Sequence, residues 1–300
     1  MAWNWFAYAA VVYLTYKTLG VFVPSAKKKG KLILKDKTVV ITGASSGIGR
    51  ALAIKCHKAG AKVFLLARSV DKLKELANEL NQSNGENKNR AEFRSFDVCD
   101  EVEGRKVIEE IGKIDILINN AGSSMRGSCA ETPVEIHRKI MEVNFFGPVW
   151  TTQQTLQNFD DNGCIVTVSS VQGKVALPHR SSYSASKHAI EAYCNSLRAE
   201  YENLHVLIVS PGYVNTGFGS RALNKDGLAT GIEDENQKKG MSPDECAKKI
   251  VDAIVTRQTD VIIGDQKAKF AVMLKYFAPA ILNYVLYKRG VKDAHGRSSN

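Results

Sequence analysis

The sequence predicts an α/β fold, a doubly wound parallel sheet of about seven strands with helices on both faces. Two observations carry that prediction. From residue 38 onward, short β-rich apolar runs alternate with helical segments of ten or more residues, the pattern that buries a parallel sheet between helix layers. The 300 residues, 44% apolar and 24% charged, suit one large α/β domain rather than a disordered chain or a multi-span membrane protein. A chain of that size buries roughly 75% of its unfolded surface, so its core needs neither disulfides nor metals.

The elements follow in order. Residues 1–24 read as an N-terminal anchor. The run from Trp5 to Val23 is apolar apart from Thr, Gly and Lys17, long enough as a helix to cross roughly 30 Å of hydrocarbon. Trp3, Trp5, Tyr8 and Tyr13 suit a membrane interface, and no small-residue cleavage site follows. Residues 25–37 read as a basic linker, with six Lys and one Asp between 26 and 37, which by the positive-inside rule places the folded body in the cytosol. The domain proper spans residues 38–265. Strands are expected at Thr38–Ile41, Lys62–Ala67, Ala91–Phe96, Ile114–Ile118, Cys164–Val168, His205–Val209 and Asp260–Ile263. Helices are expected at Gly47–Ala59, Asp71–Leu80, between the third and fourth strands, and over Pro133–Phe159, Tyr183–Glu202 and Pro243–Val255. Gly217–Gly240 is polar and turn-rich and reads as a long loop over a site. Residues 266–300 hold a second apolar stretch, Phe270–Leu286, broken by Lys275 and Pro279, and a basic tail. That stretch reads either as core packing or as a helix dipping into a membrane beside a substrate mouth.

Net charge is +10, and nearly all of it sits at the two ends. A nucleic-acid binder needs a basic face on its folded body, and this body is close to neutral, so no nucleic acid is expected as a partner. Basic segments flanking apolar ones point to membrane lipids. The six cysteines are scattered, with no zinc spacing, and read as free, mostly buried thiols in a reducing compartment. A single Asn-Gln-Ser sequon at Asn81 leaves a lumenal placement open.

The first chemical signal is Thr42-Gly43-Ala44-Ser45-Ser46-Gly47-Ile48-Gly49, after a strand and opening a helix. Gly43 permits a tight turn, Gly47 lets backbone approach a pyrophosphate, and Gly49 lets helix and strand pack closely, so the pattern points to dinucleotide binding at the helix N-terminus. The second is Tyr183-Ser-Ala-Ser-Lys187, whose spacing puts phenol and ammonium on one helix face. An ammonium there lowers the phenol pKa toward a useful range. Ser170 ends a strand upstream, placed to hold a substrate oxygen.

With Asn119-Asn120-Ala121-Gly122, Asn144 and Pro211-Gly212, these motifs run in order over residues 38–264, and the chain resembles the short-chain dehydrogenase/reductase family. Segments such as SSVQGKVALPHRSSYSASKHA look like its membrane-associated member-seven branch. The resemblance implies a Rossmann-type fold and hydride transfer between a nicotinamide and a carbonyl or alcohol. It implies Tyr183 as acid/base, Lys187 beside it on the nicotinamide ribose, Ser170 on the substrate oxygen, and Asn144 anchoring a water that links Lys187 to solvent. It further implies cofactor contacts from Ser45, Ser46, Ile48, Asn119, Asn120, Ala121, Gly122, Pro211, Gly212, Val214 and Thr216. Asp97 and Val98 match positions flanking the adenine, although Asp97 reads equally as a helix cap. At the end of the second strand, Arg68 and Ser69 stand where an acidic residue would select NAD(H), so NADP(H) is expected. Ser46 departs from relatives that carry a basic residue there.

The expected function is therefore a membrane-anchored NADP(H)-dependent oxidoreductase, in endoplasmic-reticulum or peroxisomal membrane, acting on a lipid-like carbonyl such as a steroid, retinoid or acyl/alkyl ketone. Alternatives are a dinucleotide-binding regulator that lost turnover, or NAD-dependent alcohol oxidation in a lumen. The family's habit implies a homodimer or homotetramer.

Overall fold

The computed structural model describes residues 30–82, 88–159 and 162–297; the expected anchor lies outside them. Seven strands form one parallel sheet in the order β3-β2-β1-β4-β5-β6-β7. They are β1 (Thr38–Thr42), β2 (Lys62–Ala67), β3 (Glu92–Ser95), β4 (Ile116–Asn119), β5 (Cys164–Val168), β6 (His205–Pro211) and β7 (Asp260–Ile263). The central strands are apolar throughout because helices cover both faces: Val39, Ile41, Val63, Leu65 and Val166 pack to one side, Val40, Phe64, Leu117 and Ile165 to the other. Edge strand β3, half-exposed, is shorter than its sequence suggests.

The helices are α1 (Gly47–Lys58), α2 (Val70–Gln82), α3 (Glu101–Ile111), α4 (Val134–Met141), α5 (Gly147–Leu156), α6 (Ser181–Glu200), α7 (Glu235–Lys238), α8 (Pro243–Val255), α9 (Gln266–Phe277) and α10 (Pro279–Arg297). The helix expected over Pro133–Phe159 is not uniform: a π-helical segment, Glu142–Phe146, joins α4 to α5 and carries Asn144. Single π-turns of this kind re-aim a side chain that a regular helix would carry elsewhere. The chain joins the body at Leu32, inside the expected linker; Leu32 and Leu34 are buried, and the Leu32 N–H donates to the Val255 carbonyl at 2.9 Å.

Gly217–Gly240 is better ordered than a bare loop. It holds α7, and Leu223 bridges both Met125 and Ala229. Beyond β7, α9 and α10 meet the body through Val272 and Leu282, packed with Val171 and Val175. Among the described residues, no helix is long and apolar enough to cross a membrane. All six cysteines are free; Cys99 and Cys129 are exposed and the other four buried.

Candidate active site

At the carboxyl ends of the strands, where the order reverses between β1 and β4, lies a cleft of about 490 Å³. Its floor is the turn from β1 into α1. Gly43 and Gly47 both adopt positive φ, 67° and 55°. A Cβ on Gly49 would stand 2.3 Å from the Gly43 carbonyl oxygen and 2.4 Å from Asn120 Nδ2, so only glycine lets α1 start this close to β4. Ser46, the residue before α1, makes no side-chain cap bond, which leaves the first helical N–H groups to a ligand's phosphates. Asn120 Nδ2 donates to the Thr42 carbonyl at 2.9 Å and holds the turn against β4.

On the other wall, α6 brings its i, i+4 pair into the cleft. Tyr183 is buried, with the Ser170 hydroxyl close enough to act on its phenol. Ser170 Oγ also accepts from the Gln172 N–H at 3.1 Å, capping the short turn Val171–Gly173. Lys187 Nζ donates to the Val168 carbonyl at 2.9 Å and lies 5.8 Å from the centre of the Tyr183 ring. Asn144 is fully buried; its amide accepts from the Ser123 N–H and donates to the Ser123 carbonyl, both at 2.8 Å, and donates to Ser186 Oγ at 3.0 Å. It thereby ties the loop after β4 to α6. A Cβ on Gly122 would lie 3.3 Å from Asn144 Oδ1 and 3.7 Å from Lys187 Nζ, so glycine keeps open the space between them.

Burial pushes the Tyr183 phenol up, partly offset by the Ser170 hydroxyl and by the Arg126 and Arg180 guanidiniums. These, rather than Lys187, are the counterweights in this structure. Arg126 is itself pushed down to about 10 by burial and by Arg180, while Arg180 is ion-paired with Asp234 of the ordered 217–240 segment. Lys187 falls to about 8 because burial disfavours its charge, with Glu191 opposing the fall. The ammonium is thus present below pH 8 and lost above it. An activity that depends on that charge should show a kcat/KM that declines as pH rises through about 8. A pH–rate profile flat to about pH 10 would dissociate Lys187 from turnover.

Most of the residues singled out by sequence line this cleft: Gly43, Ser45, Ser46, Gly47, Ile48, Arg68, Ser69, Asp97, Val98, Asn120, Ala121, Gly122, Ser170, Tyr183, Lys187, Pro211, Gly212, Val214 and Thr216. Three do not. Gly49 and Asn144 act from behind the wall, as just described. Asn119 is buried away from the cleft, donating to Thr152 Oγ1 at 3.0 Å and accepting from Thr151 Oγ1 at 2.9 Å, so it pins α5 to β4 instead of touching a ligand. The alternative reading of Asp97 as a helix cap is corrected: Asp100 caps α3 by accepting from the Glu103 N–H, whereas Asp97 accepts from the Cys99 N–H and faces Arg68 at 3.8 Å.

Sequence reading missed Lys72, which lines the cleft beside Arg68 from the first turns of α2, and Glu191. Glu191, one turn beyond Lys187, is buried and accepts from Ser169 Oγ (2.7 Å), Ser210 Oγ (3.1 Å) and Lys174 Nζ (3.0 Å). The residues joining α6 to the ends of β5 and β6 therefore meet at one carboxylate. The i, i+4 continuation of Tyr183 and Lys187 was the only signal available for it.

Comparison with known proteins agrees with this geometry. A family model described as short chain dehydrogenase matches residues 37–227. Dehydrogenase/reductase SDR family member 7B of Mus musculus is 38% identical over 90% of this chain and 86% of its own length. Among solved structures, an alcohol dehydrogenase from the archaeon Thermococcus sibiricus complexed with 5-hydroxy-NADP aligns at TM-score 0.66 and 26% identity, covering 77% of this chain and 97% of its own. A short-chain dehydrogenase/reductase from Burkholderia phymatum in complex with NAD shares the fold at TM-score 0.72 and 21% identity, over 83% of this chain and 96% of its own. The chain belongs to the short-chain dehydrogenase/reductase family of oxidoreductases and is similar to the member 7B proteins over most of its length.

Proposed function

We propose that this protein is an NADP(H)-dependent oxidoreductase that interconverts a carbonyl and an alcohol on a lipid-like substrate, and works at a membrane with its folded body in the cytosol. The observation that carries the chemistry is that Ser170, Tyr183 and buried Lys187 line one cleft together with the glycine turn from β1 into α1. The cleft's residues fit a nicotinamide dinucleotide, with positive-φ glycines, unspent helix N–H groups and the gap at Gly122. When bound, the nicotinamide supplies or accepts the hydride.

The chain's own groups do the rest. Ser170 and Tyr183 hydroxyls hold the carbonyl oxygen between them. Tyr183 delivers its proton to that oxygen as negative charge develops there, and its raised pKa keeps the proton in place until then. The Arg126 and Arg180 guanidiniums offset the burial of the phenolate left behind, the Lys187 ammonium adds positive charge 5.8 Å from the ring centre, and Asn144 fixes the position of α6 relative to the loop holding Gly122. Phe218 and Leu223 line the substrate side with apolar surface, which supports an apolar substrate.

Preference for the phosphorylated cofactor rests on Arg68, Ser69 and Lys72 at one end of the cleft. Two cations and a hydroxyl there suit a 2′-phosphate, and no carboxylate ends β2 to accept from a 2′-hydroxyl. Substituting Ala67→Asp together with Arg68→Ala should reverse the preference, read as the ratio of kcat/KM for NADPH over NADH. An unchanged ratio would remove Arg68 as the phosphate reader. A homodimer or homotetramer is part of the same proposal, by likeness to the family.

A further inference from the structure

The α9–α10 pair leaves an unusual surface. Val272 and Leu282 face the body, while Phe270, Tyr276, Phe277, Ile281, Tyr284 and Tyr287 are each more than half exposed. Large aromatic and aliphatic groups gathered this densely mark a contact surface. The charge pattern says what kind. Between residues 266 and 292 there are six cations and no Asp or Glu. Lys275 and Arg289 are bonded inward, to the Lys174 carbonyl and the Tyr213 hydroxyl, while Lys267, Lys269, Lys288 and Lys292 are exposed along the same two helices.

We propose that this face docks on an anionic lipid surface, lying in the headgroup region with its rings toward the acyl boundary. Cations beside exposed aromatic groups are the composition of an interfacial helix, and neither helix is long and apolar enough to span. A second copy of the chain is a poorer occupant: a two-fold contact through this face would set its excess of cations, opposed only by Asp265 and Asp293 at its ends, against their own images. The docking site also borders the reaction. Arg289 Nη2 donates to the Tyr213 hydroxyl at 3.0 Å, between cleft-lining Gly212 and Val214, and Lys275, Val272 and Leu282 meet the turn that follows Ser170. A lipid substrate would enter from the surface on which the pair rests. The inference deepens the membrane part of the proposed function and stands apart from the cofactor reading.

The test uses residues 30–300, since Leu32–Asn300 forms a compact unit with its own core. Flotation is measured with phosphatidylcholine vesicles, with and without phosphatidylserine, at low and high salt. The protein should float with phosphatidylserine vesicles at low salt and be released by high salt. Tyr276→Glu with Phe277→Glu should cut the bound fraction at least about tenfold with NADPH binding unchanged, and Lys267→Glu with Lys269→Glu should lower binding to phosphatidylserine vesicles alone. Protein that stays soluble at low salt overturns the proposal. So does a dimer that falls apart in the Tyr276/Phe277 variant while vesicles bind neither form, which would assign the face to a second copy. Failure of NADPH binding in the unmodified fragment would instead count against the proposed function.

Discussion

Tyr183→Phe should lower kcat by about 10²–10⁴-fold while dinucleotide affinity stays within roughly twofold. The ring is buried and packs against Phe218 with centroids 5.9 Å apart, and phenylalanine keeps that packing. What it loses is the phenolic hydroxyl beside Ser170, the group proposed to release a proton into the cleft. Steady-state turnover with NADPH, alongside nicotinamide fluorescence titration, separates the two effects. Retention of more than about a tenth of kcat would move the acid/base role to another group.

Glu191→Ala should destabilise the fold by about 3 kcal/mol, the scale seen when one partner of a buried ion pair is removed. Two buried hydroxyls, Ser169 and Ser210, lose their acceptor, and Lys174 retains Asp260 at 2.9 Å as its remaining partner. Glu191→Gln, which keeps an acceptor oxygen, should cost less. Urea unfolding at constant m-value measures both. A loss below about 1 kcal/mol for the alanine variant would show that relaxation or water replaces the carboxylate. Because Ser169 precedes Ser170, the alanine variant should also lose activity even where it remains folded.

The sheet was legible because parallel strands covered on both faces must be apolar throughout. Runs such as KVFLLA at Lys62–Ala67 and CIVTV at Cys164–Val168 admit little else. The glycine loop and Tyr183/Lys187 were legible because each motif is local, its members within one turn or one helix face. What escaped was non-local or broke a period. The π segment at Glu142–Phe146 carries Asn144, whose partners Ser123 and Ser186 lie about twenty and forty positions away on either side, a linkage no helical spacing announces. Asn119 looked like a ligand contact because it sits in the same motif as Asn120, yet the alternation of a strand sends neighbouring side chains to opposite faces. Glu191 drew no reading from the sequence, since Lys174 and Ser210 come from separate parts of the chain. The stretch at Phe270–Leu286 resolves into two helices parted at Ala278 and Pro279, where proline starts the second.

The strand order also sets a timetable for synthesis. β1 lies in mid-sheet, with Val39 opposite Val63 on one side and Ile116 on the other. At about 5–20 residues per second, roughly 4–15 s separate the appearance of Val39 from that of Ile116. During that interval a nascent unit of β1, α1, β2, α2 and β3 presents an open strand edge, a template for mispairing that a growing chain must keep covered. That unit already holds Gly43, Gly47, Arg68 and Lys72, whereas Ser170 and Tyr183 have yet to be made. The half proposed to grip the dinucleotide is thus built before the half proposed to carry the acid/base group.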